Sequence, residues 1–383
     1  MKGRQNLKIK NINYSMPLII SIILFAILIF IPTGFEDAVI YKESEKCKAE
    51  VISVNNDRII DTGLVRSGEQ TCELKVLNGK FKGEIVEGYN PLNGSLENDK
   101  IFEVGDKALI LISYTGDEVL SVSMVDHYRI NYEAILAGIF VIFLVIFAGK
   151  TGVRAVVSFG VTVLMLWKVL IPFYLKGYDP VIIGLIITAI LIVIIISLVY
   201  GFDKRFISAS TGAFAGLIVT CILGIIFTKT LKIHGAVMSY SESLLYSGYP
   251  DLNLTNIFMA GIFISSSGAV MDLAVDITSA VTEVVDKKPD ISWKEASISG
   301  MNVGKAAMGT MTTTLLLAYS GGYLAMLMVF MAQGTPIYNI LNYKYVSAEI
   351  IDTIVGSFGL VSVAPLTAVT SGFFLTKHNN KNQ

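Results

Sequence analysis

The chain has 383 residues, of which 53% are hydrophobic and 16% are charged, and its mean hydropathy is +0.63. The charged fraction lies well below the roughly 25% typical of soluble domains, which excludes an ordinary soluble protein and indicates a membrane protein. The net charge of −1 hides a split, because residues 35–131 carry −7 and the remainder carries +6. This balance gives no sign of nucleic-acid binding, so no nucleic-acid partner is expected.

Eight segments are apolar and long enough to cross a bilayer, which takes about 20 residues. We therefore predict an α-helical multi-pass membrane protein with about eight spanning helices. With the N-terminus inside, 14 Lys and Arg residues fall in inner segments and 4 in short outer loops, as the positive-inside rule requires. The first segment could be a signal peptide, but no small-x-small cleavage site follows it, which favours an uncleaved anchor. The segments are residues 16–32, 132–149, 153–175, 181–200, 206–228, 254–275, 307–332 and 350–375.

Residues 35–131 then lie outside the membrane, and within 46–126 short strand-like runs alternate with turn signals. Asn78-Gly79 predicts a two-residue hairpin turn. We expect a small extracytoplasmic β-barrel, for which the OB type is the candidate. Cys47 and Cys72 would face an oxidising space and could form a disulfide, although sequence cannot place their Cα atoms within reach. The alternative for this domain is a folded cap without a ligand.

The predicted domain organisation has three parts. Residues 1–34 form an N-terminal cytoplasmic tail and membrane anchor, and residues 35–131 form the extracytoplasmic β-rich domain. Residues 132–378 form a helical membrane domain of about seven spans. A cytoplasmic amphipathic segment is expected near residues 272–297.

The stretch from Ser265 to Asp276 is the first candidate functional site. Ser265, Ser266 and Ser267 interrupt an apolar run, and Asp272 and Asp276 follow on one helical face. Two hypotheses fit. In one, the helix breaks at the serines and the carboxylates face a cavity at membrane depth, as in many transporters. In the other, residues beyond the serines form a helix on the cytoplasmic membrane surface, with its apolar side in lipid and its acidic side in water.

A second polar stretch follows on the next spanning segment. Lys305 is the nearest intramembrane cation for the two aspartates, and Thr312 and Thr313 add hydroxyl groups. The alternative is that the threonines hydrogen-bond to their own helix and that Lys305 extends to the membrane surface. Glu349 and Asp352 open the last span and are interpreted as interfacial acids.

Three separated motifs occur in order along the chain. They are the run from Gly268 to Asp276, the run from Met308 to Gly322, and Gly356-Ser-Phe-Gly359 with Pro365-Leu-Thr367. By these motifs the chain resembles the YibE/F-like family of bacterial multi-pass membrane proteins, over its whole length. The resemblance implies this architecture and a bacterial plasma membrane, and with the charge pattern both termini are expected in the cytoplasm.

Two functions are consistent with these features. The first is a secondary transporter or permease for an unidentified ion or small solute, using a polar broken helix at residues 265–276. The second is a non-transporting scaffold or sensor whose outer domain binds a partner or ligand. The expected partners are the lipid bilayer and that solute, with a second copy or another membrane protein also open.

An enzyme is not expected. The chain lacks Walker A, GxGxxG, GxSxG and HExxH motifs. A protease dyad usually draws its aspartates from two elements, whereas Asp272 and Asp276 lie on one. No cofactor or metal site is predicted, because no Cys/His cluster occurs.

Overall fold

The computed structural model describes residues 2–36 and 44–376, with side chains from residue 15 onward. The chain divides into two compact units, Glu36–Leu144 and the combination of Met1–Phe35 with Val145–Gln383. The ends of the predicted domains at residues 1 and 377–378 lie outside the described residues. Each unit is considered by itself below.

The smaller unit contains a closed β-barrel. Strand β1 is hydrogen-bonded antiparallel to both β3 and β5, and the ring continues from β5 to β6 and from β3 to β4. It closes where β4 and β6 meet in parallel at Tyr89 and Ser123. Leaving out the short β2, this is the five-stranded arrangement of an OB-type barrel, which confirms the predicted fold. The strands are β1 (Ser44–Asn55), β2 (Ile59–Asp61), β3 (Arg66–Val76), β4 (Ile85–Asn93), β5 (Lys107–Thr115) and β6 (Glu118–His127).

The predicted two-residue turn at Asn78-Gly79 is wrong in length. Strands β3 and β4 pair antiparallel as expected, but residues 77–84 connect them as a longer loop. Phe81 is buried in the barrel core, and the Asn78 side chain accepts a hydrogen bond from the Lys48 backbone N–H. Both contacts hold the loop against the barrel, so burial of an aromatic ring overrides the local turn signal.

In the part of the chain that the structure describes, six helical segments are long and apolar enough to cross a membrane, and Ser15–Phe30 is a shorter apolar helix. The predicted second and third spans lie in one 46-residue segment, Ile130–Leu175, in which two helices meet at a kink with non-helical backbone at Gly149 (φ 54°). The count of segments therefore differs slightly from the eight predicted spans, because two of those spans share one segment. The main helices are α1 (Lys2–Phe30), α2 (Ile130–Met165), α3 (Ile171–Leu175), α4 (Pro180–Tyr200), α5 (Lys204–Thr230), α6 (Ser241–Tyr246), α7 (Leu254–Lys287), α8 (Trp293–Ser320), α9 (Leu324–Ala332), α10 (Ile337–Asn342) and α11 (Lys344–Thr376).

Helices α5, α7, α8 and α11 form the core of the larger unit. Small residues let them approach closely. A methyl group at Gly212 on α5 would overlap the Thr367 side chain of α11, and one at Gly359 on α11 would overlap Thr220 of α5. Such glycines are typical of helix contacts in membranes, where packing replaces the hydrophobic driving force. This tight interface fixes α11 against its neighbours and so positions the side chains that it contributes to the site.

Candidate functional site

Helix α7 is continuous through the serine run, so the predicted break at Ser265–Gly268 is wrong. The helix extends unbroken from Leu254 to Lys287. Each serine hydroxyl donates to the carbonyl three residues earlier, at distances of 3.0 Å for Ser265, 3.4 Å for Ser266 and 2.7 Å for Ser267. These back-bonds satisfy the hydroxyls within the helix, and the backbone has no need to open.

The second hypothesis, a surface helix with its apolar side in lipid, is also wrong. Leu273, Ala274, Ile277 and Val281 are fully buried in the protein core. The turn after Lys287 leads directly into α8, whose first turn is capped reciprocally by Ser292 and Glu295. The segment near 272–297 is therefore two packed helix ends rather than an amphipathic helix lying on a membrane.

The open face of α7 is polar along two thirds of the helix. From residue 265 to residue 286, all the exposed positions are glycine, serine or acidic. Their spacing of three or four residues places them in one stripe. Asp272 and Asp276 both belong to it, about 10 and 16 Å along the axis from Ser265. The exposed residues are Ser265, Gly268, Asp272, Asp276, Ser279, Glu283 and Asp286.

Near its far end this stripe meets α4. The Tyr200 hydroxyl donates to the Val275 carbonyl at 2.6 Å and lies 2.7 Å from the Ser279 hydroxyl. The Arg205 guanidinium lies 5.2 Å from the centre of the Tyr200 ring and forms an ion pair with Asp203. Polar groups of α4 and α5 thus continue the polar face of α7 at this end.

At its near end the stripe meets two carboxylates of α11 that were interpreted as interfacial. The Ser265 hydroxyl lies 3.2 Å from Asp352 Oδ1, and the Tyr319 hydroxyl of α8 donates to Ser265 Oγ at 3.1 Å. Asp352 lies eight residues into α11, about 12 Å from the start of that helix. Three helices therefore bring polar side chains together around Asp352.

Glu349, one turn before Asp352, extends this cluster. Its carboxyl group interacts with the Tyr323 phenol, in the short 3-10 turn between α8 and α9, and with the Asp352 charge. The Oε1 atom of Glu349 is buried without a hydrogen-bond partner. No ion pair involves either carboxylate within residues 2–36 and 44–376. We call Ser265, Tyr319, Tyr323, Glu349 and Asp352 the carboxylate cluster.

An open cleft of about 590 Å³ adjoins the carboxylate cluster through Tyr323, which lines both. Its walls come from the segment between α5 and α7, from the turn before α9 and from the start of α11. Three tyrosines and one glutamate are among its lining residues, and none of them is basic. The lining residues are Ala236, Val237, Met238, Ser239, Tyr240, Ser241, Glu242, Ser243, Gly322, Tyr323 and Tyr345.

The predicted residues of α8 do not join the cluster by direct contacts. Thr312 and Thr313 donate to the carbonyls of Met308 and Gly309 on their own helix, at 2.9 and 3.3 Å. Lys305 is exposed, and among the described ion pairs none links it to Asp272 or Asp276. Of the predicted site residues, Ser265 alone belongs to the carboxylate cluster, through its hydrogen bonds with Asp352 and Tyr319. Sequence reasoning missed Glu349, Asp352, Tyr319 and Tyr323 as a unit.

The predicted disulfide between Cys47 and Cys72 is absent, since both thiols are free and buried in the barrel core. Strand register explains why. Cys72 pairs with Val54 on β1, seven residues from Cys47, which corresponds to about 23 Å along an extended strand. Bridging requires Cα atoms within about 7 Å.

The fold and the site define a multi-pass helical membrane protein that carries a small β-barrel domain and an acidic cluster within its helices. The chain belongs to the YibE/F-like family: the model of the YibE/F-like protein matches residues 136–377, and that of the YibE/F family N-terminal domain matches residues 40–127. No curated protein and no solved structure matches the chain. The predicted family is thereby confirmed.

Proposed function

We propose that this protein is a secondary transporter or permease for a small solute or ion. The open polar face of α7 is the observation that carries the proposal. A membrane helix that met lipid on this side would expose Leu, Ile or Phe there, because charges in hydrocarbon are expensive. Here the apolar residues of α7 pack inward, while the exposed face from Ser265 to Asp286 is small, hydroxylated or acidic. Such a face suits a water-filled passage.

The carboxylate cluster has the properties of a coupling site. Glu349 and Asp352 share a confined space with hydroxyl groups, and no described cation neutralises them. A mobile cation, the proton included, would supply the missing charge, and its exchange would couple two fluxes. The cluster connects the open cleft on one side with the polar stripe of α7 on the other. Cargo would pass from cleft to cluster to stripe.

In this proposal the cleft opens outside a bacterial plasma membrane, together with the β domain, and the Asp286 end of α7 opens inside. The distribution of Lys and Arg supports this orientation, with 14 in inner segments and 4 in short outer loops.

Proteoliposomes with an imposed pH gradient test the proposal. A pH-sensitive dye inside would report dissipation of the gradient when Na⁺, K⁺, tetramethylammonium or neutral solutes are added. We expect at least one addition to cause dissipation, and Asp352→Asn to lower its rate at least tenfold because the exchangeable charge is removed. Asp290→Asn, in the exposed turn between α7 and α8 and outside the polar stripe, is the matched control and should retain the rate. Equal rates in both variants would contradict the coupling role of Asp352.

A second function, a sensor or scaffold that binds a ligand through the β domain, is favoured by a groove of about 720 Å³ on the barrel. There Glu73 and Glu87 face each other across β3 and β4, and they accept hydrogen bonds from Ser53 at 2.9 Å and Tyr89 at 3.1 Å, respectively. Cells carrying the double variant Glu73→Gln, Glu87→Gln discriminate the two functions. If the double variant caused the same cellular defect as loss of the protein, while Asp352→Asn did not, the sensor function would be favoured.

A further inference from the structure

We infer that the cargo is a compact organic cation, such as a quaternary or substituted ammonium ion, which enters through the cleft lined by Tyr240, Tyr323 and Tyr345. This inference rests on the proposed transport function and specifies the chemical class of the substrate. Its basis is the combination, in one connected space, of aromatic rings, an unpartnered carboxylate oxygen and acidic charge.

The aromatic component comes from the cleft walls. Three of the eleven lining residues are tyrosines, and the only charged lining residue is Glu242. An ammonium ion is attracted to the face of an aromatic ring, and several rings around one cavity recognise a quaternary ammonium group without hydrogen bonds. Tyr345 already engages a cation in this manner, since the Lys344 ammonium lies 5.0 Å from the centre of its ring.

The carboxylate component lies immediately behind the cleft. Tyr323 lines the cleft and interacts with Glu349, whose Oε1 atom is buried with no hydrogen-bond partner. A buried carboxylate oxygen without a partner is costly, and a bound cation would compensate it. Asp352, one turn further along α11, adds a second negative charge. A cation that entered the cleft would therefore find increasing electrostatic attraction toward the cluster.

The polar stripe of α7 carries the same sign of charge. Beyond the cluster it presents Asp272, Asp276 and Asp286, and also Glu283, which forms an ion pair with Lys287 at 2.9 Å. A passage lined by one sign of charge concentrates ions of the opposite sign. Anionic cargo would be repelled at the carboxylate cluster and at Asp272 and Asp276.

The ligand set distinguishes an organic cation from a divalent metal ion. Within residues 2–36 and 44–376, no group of three or more His, Cys, Asp and Glu side chains has the arrangement of a metal site. Two carboxylates with hydroxyl and phenol neighbours instead match a cation that is held by charge and by ring faces. The cleft volume of about 590 Å³ also falls within the usual range for small organic ligands.

Equilibrium binding of tetramethylammonium chloride to the purified full-length protein in detergent tests this inference. A ligand that binds the folded state raises the thermal unfolding midpoint with concentration. We expect tetramethylammonium to raise the midpoint beyond NaCl at equal ionic strength. Tyr323→Leu and Tyr345→Leu should each weaken the apparent affinity at least tenfold, whereas Tyr323→Phe should retain most of it because the ring remains.

Tyr338→Leu is the matched control, because Tyr338 is an exposed tyrosine on α10 that does not line the cleft. The inference fails if tetramethylammonium acts no differently from NaCl, or if Tyr338→Leu weakens binding as much as the cleft variants do. Tyr345→Leu provides an independent result if Tyr323→Leu does not fold.

The organic-cation inference and the transport proposal can be contradicted independently of each other. If Na⁺ or K⁺ dissipates the pH gradient in an Asp352-dependent manner while tetramethylammonium does not bind, transport is retained and the organic-cation inference is overturned. If tetramethylammonium binds at the cleft but no solute is moved, the site is retained and the transport function is overturned.

Discussion

Burial in the barrel raises the pKa of both the Cys47 and the Cys72 thiol to about 11, and the nearby Glu45 carboxylate adds to the rise at Cys47. The ordinary value is 9.0, so the folded state holds these protons more tightly than the unfolded chain does. This contribution to stability is fully present below pH 9 and is lost as the pH rises toward 11. Its size is at most about 3 kcal/mol for each thiol.

We therefore expect the barrel of the full-length protein in detergent to unfold at lower denaturant concentration at pH 10.5 than at pH 8. The pH-dependent loss should be smaller in a variant carrying Cys47→Ala and Cys72→Ala, because those thiols no longer titrate. Other groups titrate in the same range, so the measured quantity is the difference between the two proteins. If stability fell equally with pH in the two proteins, the raised pKa values of Cys47 and Cys72 would be contradicted.

The three cysteines are free thiols, so alkylation in denaturant without reductant should label three thiols in the wild type.

A single site residue could be predicted where the sequence pattern around it pointed to the place at which the structure shows a contact. Ser265 was identified from its place in an apolar run, and it does contact the carboxylate cluster. Asp352 and Glu349 were assigned to the membrane interface, because sequence shows only that they open an apolar segment. Their meeting with Ser265 and Tyr319 requires that α7, α8 and α11 pack side by side. The sequence around each residue contains no information on how these three helices pack together.

At the scale of the helices, glycines that look alike in sequence have different roles. Gly212→Ala should destabilise the protein by roughly 1–3 kcal/mol, because the added methyl group would overlap Thr367 of the neighbouring α11. Unfolding of the purified protein by a denaturing detergent would measure this change.

Gly268→Ala is the matched substitution within α7. Nothing lies within 4 Å of a methyl group there, and the helix is continuous, so the change should be neutral or stabilise by up to about 1 kcal/mol. A large loss of stability at Gly268 would indicate that the backbone departs from a helix at this position. Similar losses at both glycines would contradict the assigned difference in packing.

The apolar segments of the sequence located the helices well, because length and hydropathy alone determine which segments suit a bilayer. Length and hydropathy could not decide whether α7 is interrupted, since three serines are compatible with a break and with an intact helix. Their hydrogen bonds to the preceding turn decide for the intact helix. The polar residues around Gly149 suggested two spans, and the backbone there is indeed non-helical, with two helices meeting at a kink.

For the whole molecule, the proposed orientation in the membrane rests on the distribution of charge and can be measured directly. In a background lacking the three cysteines, Leu64→Cys lies at an exposed tip of the barrel and Asp286→Cys at the exposed end of α7. A membrane-impermeant maleimide should label Leu64→Cys in intact cells. It should label Asp286→Cys only after permeabilisation. The reverse pattern would invert the proposed orientation.

The division into a β domain and a helical unit was predictable because composition changes sharply along the chain, from net acidic to apolar and basic. Turn signals and alternation also indicated a small barrel. Its closure was not visible in sequence, since it depends on β1 pairing with two strands that are distant along the chain. Non-local pairing of this kind is specified by the complete fold.

Closure of the barrel limits how other chains can approach it. Because β1 pairs on both sides, the ring has no free edge at β1, whereas β4 and β6 meet at the single pair Tyr89 and Ser123. Unpaired edges are the usual points at which strands from other molecules add and aggregation begins. A protein partner would therefore recognise the side-chain surface, the loops or the sparsely paired seam between β4 and β6, because β1 offers no free edge. Pairing on both sides also protects β1 from edge-to-edge self-association.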